Sequence, residues 1–181
     1  MTQIDNHLNY LLNQKIFLIG FMGCGKSKLG KATAIKLEVP FLDLDTLIET
    51  INHQSIPQLF KNLGEEGFRI KEKEALQQSA MANNAIIATG GGAPCFFDNM
   101  DWMNNNGVTI FIDTPVNVLA DRLINAKVER PLVKGKSYEE LLDFIATKLN
   151  ERRPFYELAQ IVIKEGDLNA EMLIDALTQK R

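Results

Sequence analysis

Eight consecutive residues, Gly20-Phe-Met-Gly-Cys-Gly-Lys26-Ser27, set a lysine and a serine directly behind a glycine-rich stretch and match the pattern G-x-x-x-x-G-K-[ST] in full. Glycines let a backbone fold so that successive N–H groups face a β-phosphate, and a helix starting just after them adds the positive end of its dipole. Gly23, Cys24, Gly25, Lys26, Ser27 and Lys28 are therefore the expected nucleotide-binding residues. In such a loop the lysine reaches the β- and γ-phosphates and the serine hydroxyl ligates magnesium. Cys24 occupies a position that needs a small side chain, and no partner histidine follows it, so a redox or nucleophilic role is set aside.

Three further groups carry chemistry. Asp43 and Asp45 stand two apart at the end of an apolar run. They share one face if the strand continues through both, and at a strand's carboxyl end they meet the ligand crevice of an open parallel sheet. Asp45 alternatively caps a helix beginning at Thr46. Thr89-Gly-Gly-Gly92 follows another apolar run, and three glycines suit either a close approach to a ligand or an ordinary loop. Asp113 ends a hydrophobic run as a magnesium-binding acid would, yet Asp113-Thr-Pro115 reads as a helix start, with Thr114 as cap and proline at the first helical position. That reading explains these residues without a metal.

The elements that must position these groups follow from hydrophobic patterning. Lys15-Ile-Phe-Leu-Ile-Gly20 predicts a strand, and Leu29, Ala32, Ile35 and Leu37 follow the loop at near-helical spacing. Apolar runs recur at Pro40–Asp43, Ala85–Thr89, Val108–Ile112 and Gln160–Lys164, separated by stretches long enough for helices. Strands of this kind want cover on both faces. The pattern predicts an α/β fold, a five-stranded, mostly parallel sheet with helices on either side, closed by a last helix from about Asn169 to Leu177. Two stretches, about 45–82 and about 126–138, carry no evident strand and are expected to be substrate-binding and lid insertions. The second gathers Lys127, Arg130, Lys134 and Lys136 around Pro131 and Gly135, which suits a mobile loop or a plain solvated one.

With 181 residues and 45% hydrophobic composition, one domain spanning 1–181 is expected, its core from Lys15 onward. A net charge of -3 gives no general attraction for nucleic acid or an anionic membrane, so bound anions must meet a local cluster. No apolar run approaches the roughly 18 residues of a membrane span, and Met1 to Gln14 is too polar for a secretion signal, so a cytoplasmic protein is expected. The two cysteines, Cys24 and Cys95, form no metal-binding or disulfide pattern. His7 and His53 are expected at the surface.

A phosphate loop alone allows a kinase, a GTPase switch, a motor or a nucleotide-sensing regulator. No N-K-x-D base-reading sequence is present, and the length leaves no room for a motor's coupling apparatus, so a kinase of small acceptors is the economical reading. Taken in order, Gly20–Ser27, Asp43-Leu-Asp45, Gly64-Glu-Glu-Gly-Phe-Arg69 with Glu72, Thr89–Gly92, Arg130-Pro-Leu132 and Glu151-Arg-Arg-Pro-Phe-Tyr156 resemble the shikimate kinase family from Lys15 to the last helix. The resemblance implies a three-layer phosphate-loop kinase fold. It implies transfer of the γ-phosphate of ATP to the 3-hydroxyl of shikimate, a step of aromatic amino acid biosynthesis, with magnesium as cofactor and a monomer as the working unit.

By the same resemblance Lys26, Asp45 and Arg130 are catalytic, and Ser27 and Asp43 hold magnesium. Asp45, Arg69, Gly90, Gly91, Gly92 and Arg152 hold shikimate, the two arginines gripping its carboxylate through their planar forks. Without the resemblance both arginines read as solvated helix-face charges, and the choice of Arg152 over Arg153 rests on register to Pro154. Glu72 is three residues from Arg69 on a predicted helix and can hold it. Arg122 contacts the adenine, and Arg130 closes with the lid over ATP. No histidine or spare carboxylate matches a nucleophile position, so direct in-line transfer is expected. The rivals are a gluconate or nucleoside monophosphate kinase and a catalytically idle nucleotide-binding regulator.

Overall fold

The structure, a computed structural model, describes residues 13–82, 84–126, 135–164 and 168–179. Five parallel strands form one sheet: β1 (Lys15–Ile19), β2 (Phe41–Asp43), β3 (Ala85–Ala88), β4 (Gly107–Ile112) and β5 (Ile161–Ile163), in spatial order β2-β3-β1-β4-β5. Seven α-helices among the described residues flank it: α1 (Lys26–Leu37), α2 (Leu44–Asn52), α3 (Ile56–Gln78), α4 (Asn99–Asn106), α5 (Val116–Ile124), α6 (Tyr138–Tyr156) and α7 (Ala170–Gln179). Parallel strands need crossovers, which puts helices on both faces and explains why β1, β3 and β4 are near-continuous Ile, Phe, Leu and Val with no alternation.

Strand register sets where the loops emerge. Leu18 pairs with Ala88, Asp43 pairs with Ala88 on the other side, and Ile19 pairs with Phe111. The carboxyl ends of β1, β2, β3 and β4 thus open at one level, and the chemistry-bearing residues leave the sheet together there, as open parallel sheets dispose their ligand crevices. Thr89 fastens this edge, since both its N–H and its hydroxyl donate to the Leu18 carbonyl at 3.1 Å.

Several local expectations needed correction. The strand carrying Asp43 ends there and turns directly into α2, so Asp43 and Asp45 are brought together by a turn and not by strand pleating. The cap of that helix is Asp43, which accepts from the Asp45 N–H at 3.1 Å; Asp45 is not the cap. The buried face of α1 is Leu29, Gly30, Thr33 and Ala34, while Ala32 and Ile35 face outward. Gly30 has to be small, because a Cβ there would lie 2.8 Å from the Phe41 ring and 3.0 Å from a Leu18 methyl. Pro115 itself occupies the N-cap of α5, so Thr114 is neither cap nor neighbour to a first-turn proline, and its buried hydroxyl has no hydrogen-bond partner. At the sheet's edge β5 is covered less than expected, with Val162 exposed.

The residues 44–82 that interrupt the strand pattern form α2, α3 and a short 3-10 turn, Ser79–Met81. Ser55 and Gln58 form a capping box at the start of α3, and Gly64 breaks its helical geometry at φ 68° and ψ -174°. The second half of the helix is re-aimed by that break and carries Arg69 and Glu72 inward. Of the expected lid, residues 127–134, with Arg130, lie outside the described residues.

Gly20 is the position on which this edge is least forgiving. Its φ of +141° belongs to the region that side chains avoid, and a Cβ would come within 2.8 Å of the Ile112 carbonyl oxygen. Gly20→Ala should cost about 2–3 kcal/mol of stability, read as a lower urea midpoint at unchanged m value. A midpoint equal to wild type would mean that β1 and β4 separate easily at this level.

Candidate functional site

The phosphate loop connects β1 to α1. Gly25 caps the helix in a left-handed conformation, φ 99° and ψ 13°, and no side chain bonds the first-turn N–H groups. Those donors therefore face outward from a helix start, which is where an anion is held. Lys26 is buried and folded back into its own loop, its Nζ donating to the Gly20 carbonyl at 2.8 Å and the Phe21 carbonyl at 3.0 Å, with the Cys24 sulfur at 3.6 Å. The ammonium thus sits inside the loop with its charge met by carbonyl dipoles. Cys24 is itself buried, as a packing residue of the loop.

Two oxygens that suit a hard cation meet beside the loop. The Ser27 hydroxyl donates to Asp43 Oδ2 at 2.6 Å, while Asp43 Oδ1 accepts from the Asp45 N–H. Asp43 therefore ties the start of α1 to the start of α2. A hydroxyl and a carboxylate, with water and phosphate completing the shell, are a donor set of the type magnesium takes. A cleft of about 270 Å³ runs from this pair, lined by Met22, Lys26, Ser27, Asp45, Thr89 and Gly91 among others. Phosphate-loop residues thus share one cavity with Asp45 of α2 and with Thr89 and Gly91 after β3.

A second polar cluster is built around Arg69. Its side chain is 10% exposed, and Nη1 donates to Glu72 Oε2 at 2.7 Å while Nη2 reaches Glu65 at 3.3 Å. The Phe96 ring lies 4.1 Å from its central carbon and the Phe68 ring 5.2 Å away. Aromatic faces hold the plane of the guanidinium by cation–π attraction. Its Nε is buried with no hydrogen-bond partner. Gly92 leaves room for the same group, since a Cβ there would lie 2.7 Å from Nη1. A Cβ at Gly90 would meet Glu72 at 2.7 Å and Asp45 at 3.1 Å, and one at Gly91 would lie 3.4 Å from Arg152 Nη1. Lys26, Ser27, Asp43, Asp45, Arg69, the three glycines and Arg152 are thereby gathered at one end of the sheet.

The two adjacent arginines divide cleanly. Arg153 is bidentate to Asp113, at 2.9 and 3.0 Å, and reaches Glu157 at 3.3 Å. It anchors α6 to the end of β4, which gives Asp113 its structural occupation. Arg152, one residue and about 100° round the helix, turns instead toward Gly91 and lies 5.4 Å from the Phe21 ring. Arg122 sits on the far side of the phosphate loop, its Nη1 donating to the Gly23 and Cys24 carbonyls at 3.4 and 3.3 Å. It borders a larger cavity of about 800 Å³ lined also by Lys28, Leu168, Asn169 and Glu171. Glu65 and Tyr156 lie within motifs of the sequence that assign them no role, and for Phe96 an aromatic residue near a glycine run was the one available signal.

A parallel sheet in the order 2-3-1-4-5, a phosphate loop on its central strand and a carboxylate–serine pair beside it define a phosphate-loop kinase of a small acceptor. A family model described as shikimate kinase matches residues 22–180. A shikimate kinase of Bacteroides thetaiotaomicron is 46% identical over 166 residues, covering 92% of this chain and 95% of its own. The crystal structure of shikimate kinase from that organism superposes with a TM-score of 0.84 at 46% identity, over 92% of this chain and 94% of the other. Shikimate kinase from Acinetobacter baumannii, solved in complex with shikimate, gives 0.81 at 31% identity over 96% and 95% of the two chains. The chain belongs to the shikimate kinase family.

Glu72 offers a pH test of the buried cluster. Burial raises its pKa above the ordinary 4.5, against the pull of Arg69, with Asp45 adding to the rise and Arg152 opposing it. A carboxyl with a raised folded pKa binds its proton more tightly when folded. Its contribution is therefore complete below the unfolded value and is lost as pH rises through the folded one. The stability of wild type relative to Glu72→Gln should accordingly decline from about pH 4.5 upward in urea titrations. A difference that grows with pH would show the Arg69 charge dominating instead.

Proposed function

We infer that the protein transfers the γ-phosphate of ATP to the 3-hydroxyl of shikimate, yielding shikimate 3-phosphate and ADP. The observation that carries this reading, beside family membership, is the single cleft in which Lys26 and Ser27 face Asp45 and Gly91. Donor and acceptor meet there without an intermediate carrier. The Acinetobacter baumannii relative solved with shikimate supports the choice of acceptor.

In this reading Lys26 exchanges the Gly20 and Phe21 carbonyls for the β- and γ-phosphate oxygens, supported by the N–H groups of Gly23 to Lys28. Arg69 and Arg152 hold the substrate carboxylate by charge-assisted forks, and the Arg69 plane is already oriented by Glu72 and Phe96. Gly90, Gly91 and Gly92 bring backbone close to the ring. Asp45 orients the accepting hydroxyl and takes its proton as the phosphoryl group arrives in line. The larger cavity beside Arg122 takes the nucleoside. Ser27 and Asp43 would hold magnesium, which when bound neutralises charge on the β- and γ-phosphates. Arg130, which lies outside the described residues, would add positive charge to the migrating group. Most of the rate then comes from positioning and electrostatics.

A coupled ADP-release assay across shikimate, gluconate, CMP and AMP should give turnover with shikimate alone; equal turnover with another acceptor would overturn the assignment. Lys26→Ala should lower kcat by at least about 10²-fold while the fold persists. Arg152→Ala should raise the KM for shikimate by about 10- to 100-fold with little change in the KM for ATP. Arg153→Ala should act first on stability, seen in the urea midpoint, because it releases α6 from Asp113. The reverse pattern between these two variants would exchange their roles.

A further inference from the structure

Tyr156 is fully buried, and nothing in the proposed reaction uses its hydroxyl. That hydroxyl donates to the Gly91 carbonyl at 2.5 Å, across 65 residues of sequence. Gly91 stands where the two halves of the site touch: a Cβ there would lie 3.3 Å from the Met22 nitrogen and 3.5 Å from the Gly20 carbonyl oxygen, on the phosphate loop, and 3.4 Å from Arg152 Nη1. Tyr156 also follows Arg152 by one helical turn, so both side chains leave α6 on the same face. Burial raises the tyrosine pKa far above its ordinary 10.0, with the nearby Arg152 charge opposing the rise. The group is therefore a neutral donor throughout the working range, and its proton is committed to Gly91.

We propose that Tyr156 is a positioning residue of the acceptor half of the site, its hydroxyl joining α6, one helical turn past Arg152, to the Gly90–Gly92 turn so that carboxylate fork and backbone donors hold one fixed separation. The proposal deepens the shikimate kinase reading and rests on it. Holding the Gly91 carbonyl toward α6 turns the N–H of the same trans peptide, that of Gly92, to the opposite edge, away from the helix. A loose turn would lose that orientation, and the carboxylate would meet an arginine no longer tied to it. The arrangement affects the acceptor and leaves the nucleotide contacts alone.

Tyr156→Phe isolates the hydroxyl, because the ring keeps its place 5.0 Å from the Phe111 ring. The KM for shikimate should rise about tenfold, as expected when a buried carbonyl loses its donor, and the KM for ATP should stay within about twofold. Combined with Arg152→Lys, the second substitution should cost less in the Phe background than alone, since linked groups are not additive. Amide hydrogen exchange without substrate should be faster at residues 90–93 in the Phe variant and unchanged in α1. An unchanged KM for shikimate, full additivity with Arg152→Lys, or unaltered exchange at residues 90–93 would each overturn the positioning role. Equal rises in both KM values with a lowered urea midpoint would reduce Tyr156 to a packing residue. Absence of shikimate turnover in the wild-type chain would defeat the functional reading instead, and the exchange experiment would still decide the link to Gly91.

Discussion

The contact between Gly20 and the Ile112 carbonyl carries the architecture of the site, because it lets β1 and β4 run side by side to the point where the phosphate loop must begin. A side chain there would push the strands apart at the level where their neighbours also end. With it absent, four strands release their loops at one edge, and backbone donors, acids and glycines converge there. The phosphate loop then holds Lys26 in carbonyl contacts that balance its charge. A buried ammonium without such partners would be costly, and one held too tightly would not respond to a phosphate.

A second constraint is the burial of Arg69 with Glu72. Taking two charges out of water costs several kcal/mol per ion, and their attraction offsets this only where geometry is good and hydrogen bonds are complete. Here the pair is short but the cluster is incomplete, with Nε of Arg69 lacking a partner and the Glu72 pKa raised by burial. An arginine pressed against Phe96 and left with donor capacity is a poor choice for stability alone.

Helix α6 shows how one element can separate structural from chemical duties. Leu141, Ile145, Leu149 and Tyr156 bury one face. Arg152 and Tyr156, a turn apart, look toward the glycine turn, and Arg153 swings away to Asp113. The anchor at Arg153 sets the rotation of the helix about its axis, and that rotation decides which arginine faces the glycine turn.

The sequence by itself determined the five strands, the phosphate loop and its ligand, because a parallel sheet covered on both faces demands apolar runs and a phosphate demands glycines, a lysine and a serine at set spacing. The residues expected to hold the acceptor were named as a group through the resemblance carried by their ordered motifs. Tertiary structure alone decided which aspartate caps α2, what occupies Asp113, which neighbouring arginine turns inward, and that Tyr156 meets Gly91. The cap is a local choice between two aspartates two residues apart, and each of the others is a contact between groups 40 to 65 residues apart or a choice of helix rotation. Such contacts leave no periodic mark in the chain, since either partner alone reads as an ordinary surface charge or core ring until packing brings the two together.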